Sequence, residues 1–223
     1  MTTPSPDLID QVLSITPGSH LDALRRHREI ARDNIQKAYL ALFSPADAAA
    51  VSLIERFAVA AFVSALQGQP VLADHYASKL GQLDGGPGIA AVINAEAERG
   101  TTAGPYGIYP AGPLSAENKV GPHFAVSPDS RNFLGQRLAA ALDHAHLLVF
   151  RPRDSSQAAL EALLRAGWST AGIVTLSQLV AYLAFQLRLV EGLSALAGAA
   201  TDHPANDTSV ATFTSALAAG SNL

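Results

Sequence analysis

Cysteine is absent from all 223 residues, so the chain can form no disulfide, ligate no metal through a thiolate and use no thiol as a nucleophile. Methionine and tryptophan occur once each and aromatic residues make up only 6%, which leaves alanine and the branched aliphatics to build the core. Charge is sparse as well: 15% of residues carry it, with a formal balance of −4. No basic excess is available to follow a phosphate backbone, so nucleic acid is not an expected partner. The one local run of arginines, Arg25, Arg26, Arg28 and Arg32, interleaves with Asp22, Glu29 and Asp33 and reads as a solvated helix face. The start, Met-Thr-Thr-Pro-Ser-Pro-Asp, has neither a basic n-region nor an apolar h-region, so the cytoplasm is the expected location. The most apolar stretch, residues 173–196, is interrupted by Thr175, Gln178, Gln186, Arg188 and Glu191, and no membrane span is expected from it. Neither a glycine-rich phosphate loop after a strand nor a G-x-S-x-G turn is present.

What the sequence does hold is helical periodicity. A polar leader and a short helix near residues 7–14 precede the break at Thr16-Pro17-Gly18. Ser19 then has the chemistry of an N-cap, with Asp22 three residues on. From there Leu21, Leu24, Ala31, Ile35, Ala38 and Leu42 recur at three- and four-residue steps as one amphipathic stripe, interrupted by Arg28. Ser44-Pro45-Ala46-Asp47 predicts the start of a second helix whose body, to Leu66, is apolar on almost every side. Pro70 opens a third, ending near residues 85–88, and residues 89–99 form one more. Residues 100–127 are dense in glycine and proline yet carry Tyr106, Ile108, Tyr109, Leu114 and Phe124, which favours a functional cover over a tether. Ser127-Pro128-Asp129 caps a helix to about His146, residues 158–165 form a short one closed by Gly167, and Ser169 caps the longest, to about Ala197. A weak helix is expected in the tail beyond Gly198. No window alternates convincingly as a strand. The expected fold is all-α, a single domain over residues 1–223: N-terminal helices 1–44, a core 45–99, the loop 100–127, a second helical half 128–199 and a tail 200–223. The apolar helices at 45–66 and 158–196 suggest two pseudo-repeated halves, and so much apolar surface suggests a homo-oligomer.

The segment 55–80 resembles the core of the AhpD-like / carboxymuconolactone decarboxylase superfamily, in which a Glu-Arg pair precedes Gly-Cys-x-x-Cys-x-x-His. Glu55, Arg56, Gly68 and His75 fall on the matching positions, while Gln69 and Leu72 stand where the redox cysteines belong. The segment 160–193 is similar to the C-terminal part of the peroxidase-related branch, through Ala166-Gly167-Trp168-Ser169, Ile173 and Arg188. Ala184 and Leu187 replace that branch's asparagines. The resemblance implies a helical bundle and an acid–base role for Glu55 and His75. Tyr76, Arg28 and Gln69 are the expected substrate contacts. No cofactor and no metal are expected. Thiol-dependent hydroperoxide reduction is excluded, since glutamine and leucine cannot cycle through a disulfide.

Each of these residues also has a plain structural reading. Glu55 pairs with an arginine, His75 caps or packs, Tyr76 packs at a helix start, and Arg28 snorkels. Gln178, Tyr182 and Gln186 lie four residues apart on one face, which lines a polar cavity or meets water or a partner. His144 and His146, at i and i+2, do not share a helix face, and His123 is the only further imidazole near enough to imagine a metal site. Two functions stay open: a cysteine-free enzyme doing acid–base chemistry on a small molecule, and a non-catalytic ligand-binding or assembly subunit.

Overall fold

The computed structural model describes residues 7–202, with side chains to Gly198, and it is all-α. Among the described residues the only β pairing is an isolated bridge between Gly107 and Lys119. The first three helices, α1 (Leu8–Val12), α2 (His20–Arg26) and α3 (Glu29–Phe43), are tied by an ion-pair cluster. Arg25 reaches Asp7 at 2.9 Å and Asp10, and Arg32 reaches Asp10 from the next helix. Ser19 caps α2 by accepting from the Asp22 amide, as its chemistry predicts. The single stripe expected over residues 19–42 is in fact two helices, bent at His27–Arg28, where Arg28 takes φ −121° and ψ 55°. No glycine or proline marks the bend.

The helix expected from Pro45 begins eight residues later. Residues 44–52 form turns, with Asp47 accepting from the Ala49 amide at 2.8 Å, and α4 spans Leu53–Leu66. Two serine-led caps compete here, and the second wins because Ser52 and Glu55 form a complete reciprocal capping box. From Arg56 to Ser64 every α4 residue is buried, which makes it the central helix. It ends on Gly68 in the left-handed region (φ 66°): the Gln69 amide reaches back to the Ser64 carbonyl and the Gly68 amide to Ala65. The chain therefore returns antiparallel as α5 (Pro70–Gly81), and α6 (Gly86–Gly100) packs against both.

The second half holds α7 (Pro128–Phe150), interrupted at Gly135, α8 (Gln157–Arg165) and the 33-residue α9 (Thr170–Asp202). Gly167 closes α8 as Gly68 closes α4, with φ 91° and the Trp168 amide on the Leu163 carbonyl. Leu176, Leu179, Leu183 and Val190 of α9 are wholly buried, and α9 packs on α4 and α7. By length and hydropathy α9 is long and apolar enough to cross a membrane, yet 44% of its most apolar window is buried within the fold. The loop at 101–127 is half packed: Tyr106 and Val126 are buried and Phe124 lies against the core, while Ile108, Leu114 and Val120 are exposed. The weak helix expected in the tail lies outside the described residues from position 203 on.

Candidate functional site

Glu55 is held by its own helix end and by a distant arginine. Its carboxylate accepts from the Ser52 amide at 2.8 Å and from Arg137 Nε at 2.6 Å. Arg137 also donates to the carbonyls of Gly167 (2.6 Å) and Ala50 (2.7 Å) and lies over the Trp168 ring, 4.3 Å from its centroid. Arg56, buried beside it, donates to the carbonyls of Val51 and Leu42. Burial pulls the Arg56 guanidinium below its ordinary value, and the neighbouring Glu55 charge opposes that. These contacts fasten α4 to α3, α7 and the α8–α9 turn.

His75 belongs to a different cluster. Its Nε2 lies 3.4 Å from the Tyr39 hydroxyl, and its ring meets Tyr76 edge-on. Desolvation, and then the Lys79 charge, hold its pKa below the usual histidine value. Tyr76 is fully buried, donates to Gln186 Oε1 at 2.5 Å and stacks on Phe43. Gln186 in turn donates to the Tyr182 hydroxyl at 3.3 Å. Burial pushes both tyrosine hydroxyls up, so they act as fixed hydrogen-bond donors and acceptors. The polar face of α9 is thus split: Gln178 is exposed, Tyr182 is half-buried and Gln186 is internal.

The structure joins Tyr76 to Gln186 but makes no hydrogen bond or ion pair between Glu55 and His75. Glu55 is paired with Arg137 whereas His75 meets Tyr39 and Tyr76, so the two belong to different sets of contacts. Gln69 is buried at the N-cap of α5, Leu72 is core, and Arg28 is exposed at the α2–α3 bend. Glu55, His75, Tyr76 and Gln69 border neither of the two clefts that follow, whereas Arg28 borders the second.

The first cleft, about 190 Å³, lies where the loop crosses α7 and α8, with His123, Asp143, His144, His146 and Arg151 among its walls. His144 is buried at 5% exposure and its ring finds no hydrogen-bond partner among the described residues. Its nitrogens are not wholly enclosed, unlike the Ser64 hydroxyl, the one buried polar atom there that is both sealed and unpartnered. His146 is fixed instead: Nε2 donates to the Gly100 carbonyl at 2.9 Å when it carries the proton, and the ring stacks on Phe124 with centroids 4.5 Å apart. A methyl group on Gly100 would press to 2.9 Å from the Phe124 ring, so glycine is what allows this close approach.

Desolvation lowers the pKa of both imidazoles, with the Gly100 carbonyl and Asp143 partly countering it at His146. Asp143 and Arg151 are committed. Asp143 accepts from the Val126 amide (2.7 Å) and Arg131 (2.6 Å), and Arg151 pairs with Asp154 and donates to the Gly121 carbonyl (2.6 Å). The cleft therefore presents two imidazoles whose charged form burial disfavours, beside an aspartate and an arginine already committed to partners of their own. Among the described residues no group of three metal-ligating side chains is arranged to hold a metal. The sequence showed the three histidines but not the loop that folds His123 and Phe124 over them. The chain matches no family model, no curated protein and no solved structure.

The second cleft, a groove of about 440 Å³ between the α2–α3 bend and α9, is lined by Leu24, Arg28, Ile35, Phe185, Leu189 and Leu193, with Arg25 and Arg32 at its side.

Proposed function

We propose that the protein is a cysteine-free enzyme on an AhpD-like / carboxymuconolactone decarboxylase scaffold, with acid–base chemistry carried by His144 and not by Glu55 and His75. The family part of this reading is supported by Glu55, Arg56, Gly68 and His75 on the α4–α5 hairpin. The observation that carries the site is the His144 imidazole: buried, without a partner among the described residues, and bordering a cleft. A neutral imidazole offers a lone pair for a proton, and burial, which disfavours the imidazolium, makes it a weaker base that only an acidic proton would satisfy. In such a step the substrate's acidic O–H or C–H bond breaks, its electron pair stays on the substrate, and His144 becomes imidazolium until it returns the proton.

The cleft is below the usual range of about 300–1,000 Å³ for drug-sized ligands. The substrate class is therefore a small molecule with an acidic proton, such as an enol, phenol or hydroxy acid. The test is imidazole NMR on the full chain against a panel of such molecules. A member of the panel should move the His144 resonances, and His144→Ala should abolish that response while His75→Asn keeps it. A response centred on His75 and lost in Glu55→Gln, or none at His144 from any of the panel, overturns the reading.

A second reading, a ligand-binding or assembly subunit without catalysis, is favoured by the structural employment of Glu55 in the capping box and the Arg137 pair. It shares with the first an expected homo-oligomer, supported by Phe133, Leu160 and Leu164, which are large, apolar and exposed. Light scattering at micromolar concentration should give a multiple of the 23.2 kDa chain mass, and a monomer would remove that expectation.

A further inference from the structure

The groove between the α2–α3 bend and α9 combines an apolar floor with an arginine, Arg28, that has no partner among the described residues. Phe185, Leu189 and Leu193 recur at four-residue steps and so form a single row along α9. Leu24, Ala31 and Ile35 face them across the groove. Phe185 is 49% exposed and Leu24 40%, so water stands on apolar surface that a ligand would cover. Polar groups are confined to the arginine side. There, Arg25, Arg26 and Arg32 are matched by Asp7, Asp10 and Asp22, three cations to three acids. Asp22 itself is held below the usual carboxylate range, first by the Gly18 amide and then by Arg26.

Arg28 is the exception. It borders the groove, is exposed, and makes no side-chain hydrogen bond, ion pair or ring contact among the described residues. Arg28 also borders the adjoining hollow, together with Glu29, its neighbour in sequence, which does not pair with it. Arg28 stands at the bend itself, as the residue that precedes α3. We infer that this groove binds the acyl chain of a fatty carboxylate, the chain lying along Phe185, Leu189 and Leu193 and the carboxylate pairing with the Arg28 guanidinium. A volume of about 440 Å³ suits such a ligand, and the Arg28 fork matches a carboxylate in geometry and sign. This site is separate from the His144 cleft and does not depend on the function proposed for it.

The experiment is calorimetric titration of the full chain with decanoate, octanoate and decanol, each below its micellar concentration. Decanoate should bind with one-to-one stoichiometry. Octanoate should bind roughly tenfold more weakly, since each buried methylene is worth up to about a fourfold change. Decanol, with the same chain and no charge, should also lose about tenfold, as expected for one charge-assisted hydrogen-bonded contact. Arg28→Gln, at a side chain with no partner among the described residues, should reduce decanoate to the decanol level and leave decanol unchanged. Phe185→Ser should weaken both, with circular dichroism unaltered. Absence of saturable decanoate binding, or equal decanoate binding by wild type and Arg28→Gln, overturns the proposal. So does self-association that Phe185→Ser abolishes while decanoate has no effect, because the occupant is then a second copy of the chain.

Discussion

At the scale of single residues, Arg137 decides how Glu55 should be understood. One guanidinium joins the Glu55 carboxylate, two carbonyls at helix ends and the Trp168 face, and Trp168 Nε1 donates back to the Arg137 carbonyl at 2.9 Å. Hydrogen bonds to charged groups contribute about 1.5–3 kcal/mol each when partly buried. Arg137 is about one-third exposed, so solvent screening reduces the sum. Arg137→Ala should cost about 2–3 kcal/mol in denaturant unfolding, and Glu55→Gln should cost less while leaving ligand responses at His144 intact. Loss of the His144 response in Glu55→Gln, with stability unchanged, would return Glu55 to the chemistry.

The buried imidazoles set a pH dependence as well. His75, His144 and His146 have folded-state pKa values lowered, first by desolvation. The unfolded chain therefore binds protons that the folded chain refuses, and stability rises with pH through that window. Below the unfolded value near 6.5 stability should decline, fully so once pH passes the lowered folded values. The groups around these rings modulate the effect: Lys79 adds to it at His75, Arg99 and Arg151 add to it at His146, and Asp143 opposes them there. A melting temperature that is flat from pH 7 to pH 5 would contradict this. His144→Phe, which cannot charge, should flatten the decline. Glu96 acts in a lower window. Burial raises its pKa, but Ser127 and Arg99 outweigh that and leave it lowered, so its contribution is lost only as pH falls through the carboxylate range.

At the scale of elements, the start of α4 shows what local signals settle and what they leave open. Both Ser44-Pro45 and Ser52-x-x-Glu55 satisfy the rules for an N-terminus, and residue chemistry alone does not rank them. Arg56 ranks them: its guanidinium spans the Val51 and Leu42 carbonyls, which holds residues 44–52 as a turn against α3. Ser52→Ala should therefore cost about 1 kcal/mol, and Ser44→Ala much less. Equal losses would mean that the helix begins at Pro45 in solution. The helix ends were more legible, because Gly68 and Gly167 each supply the left-handed residue that a six-to-one hydrogen bond requires. Gly68→Ala should lose roughly 1–2 kcal/mol for the same reason, although a Cβ there meets open space. The α2–α3 bend was illegible, since what accompanies it is a set of ion pairs reaching back to Asp7 and Asp10 and not a breaker in the chain.

At the scale of the whole molecule, periodicity and caps were sufficient for the all-α class and for α4 and α9 as the buried helices. They were not sufficient for the sites. Tyr76 meets Gln186 across 110 positions and Arg137 meets Glu55 across 82, and such pairings depend on how helices pack. The His144 cleft depends in the same way on the long loop. That loop is anchored at both flanks: the Tyr106 amide donates to the Phe150 carbonyl at 2.6 Å, Gly121 sits against the Tyr106 ring, and Phe124 stacks on His146. Between the anchors, Ile108 and Leu114 stand in solvent. Limited proteolysis should thus cut near Leu114 and spare Tyr106 and Phe124. The nicked chain should stay associated and keep its His144 ligand response, because both cut ends remain packed on α7. Fast cleavage at Tyr106 or Phe124, or separation of two folded halves after a single cut, would show that the loop is a tether. The His144 cleft would then lack the wall that defines it.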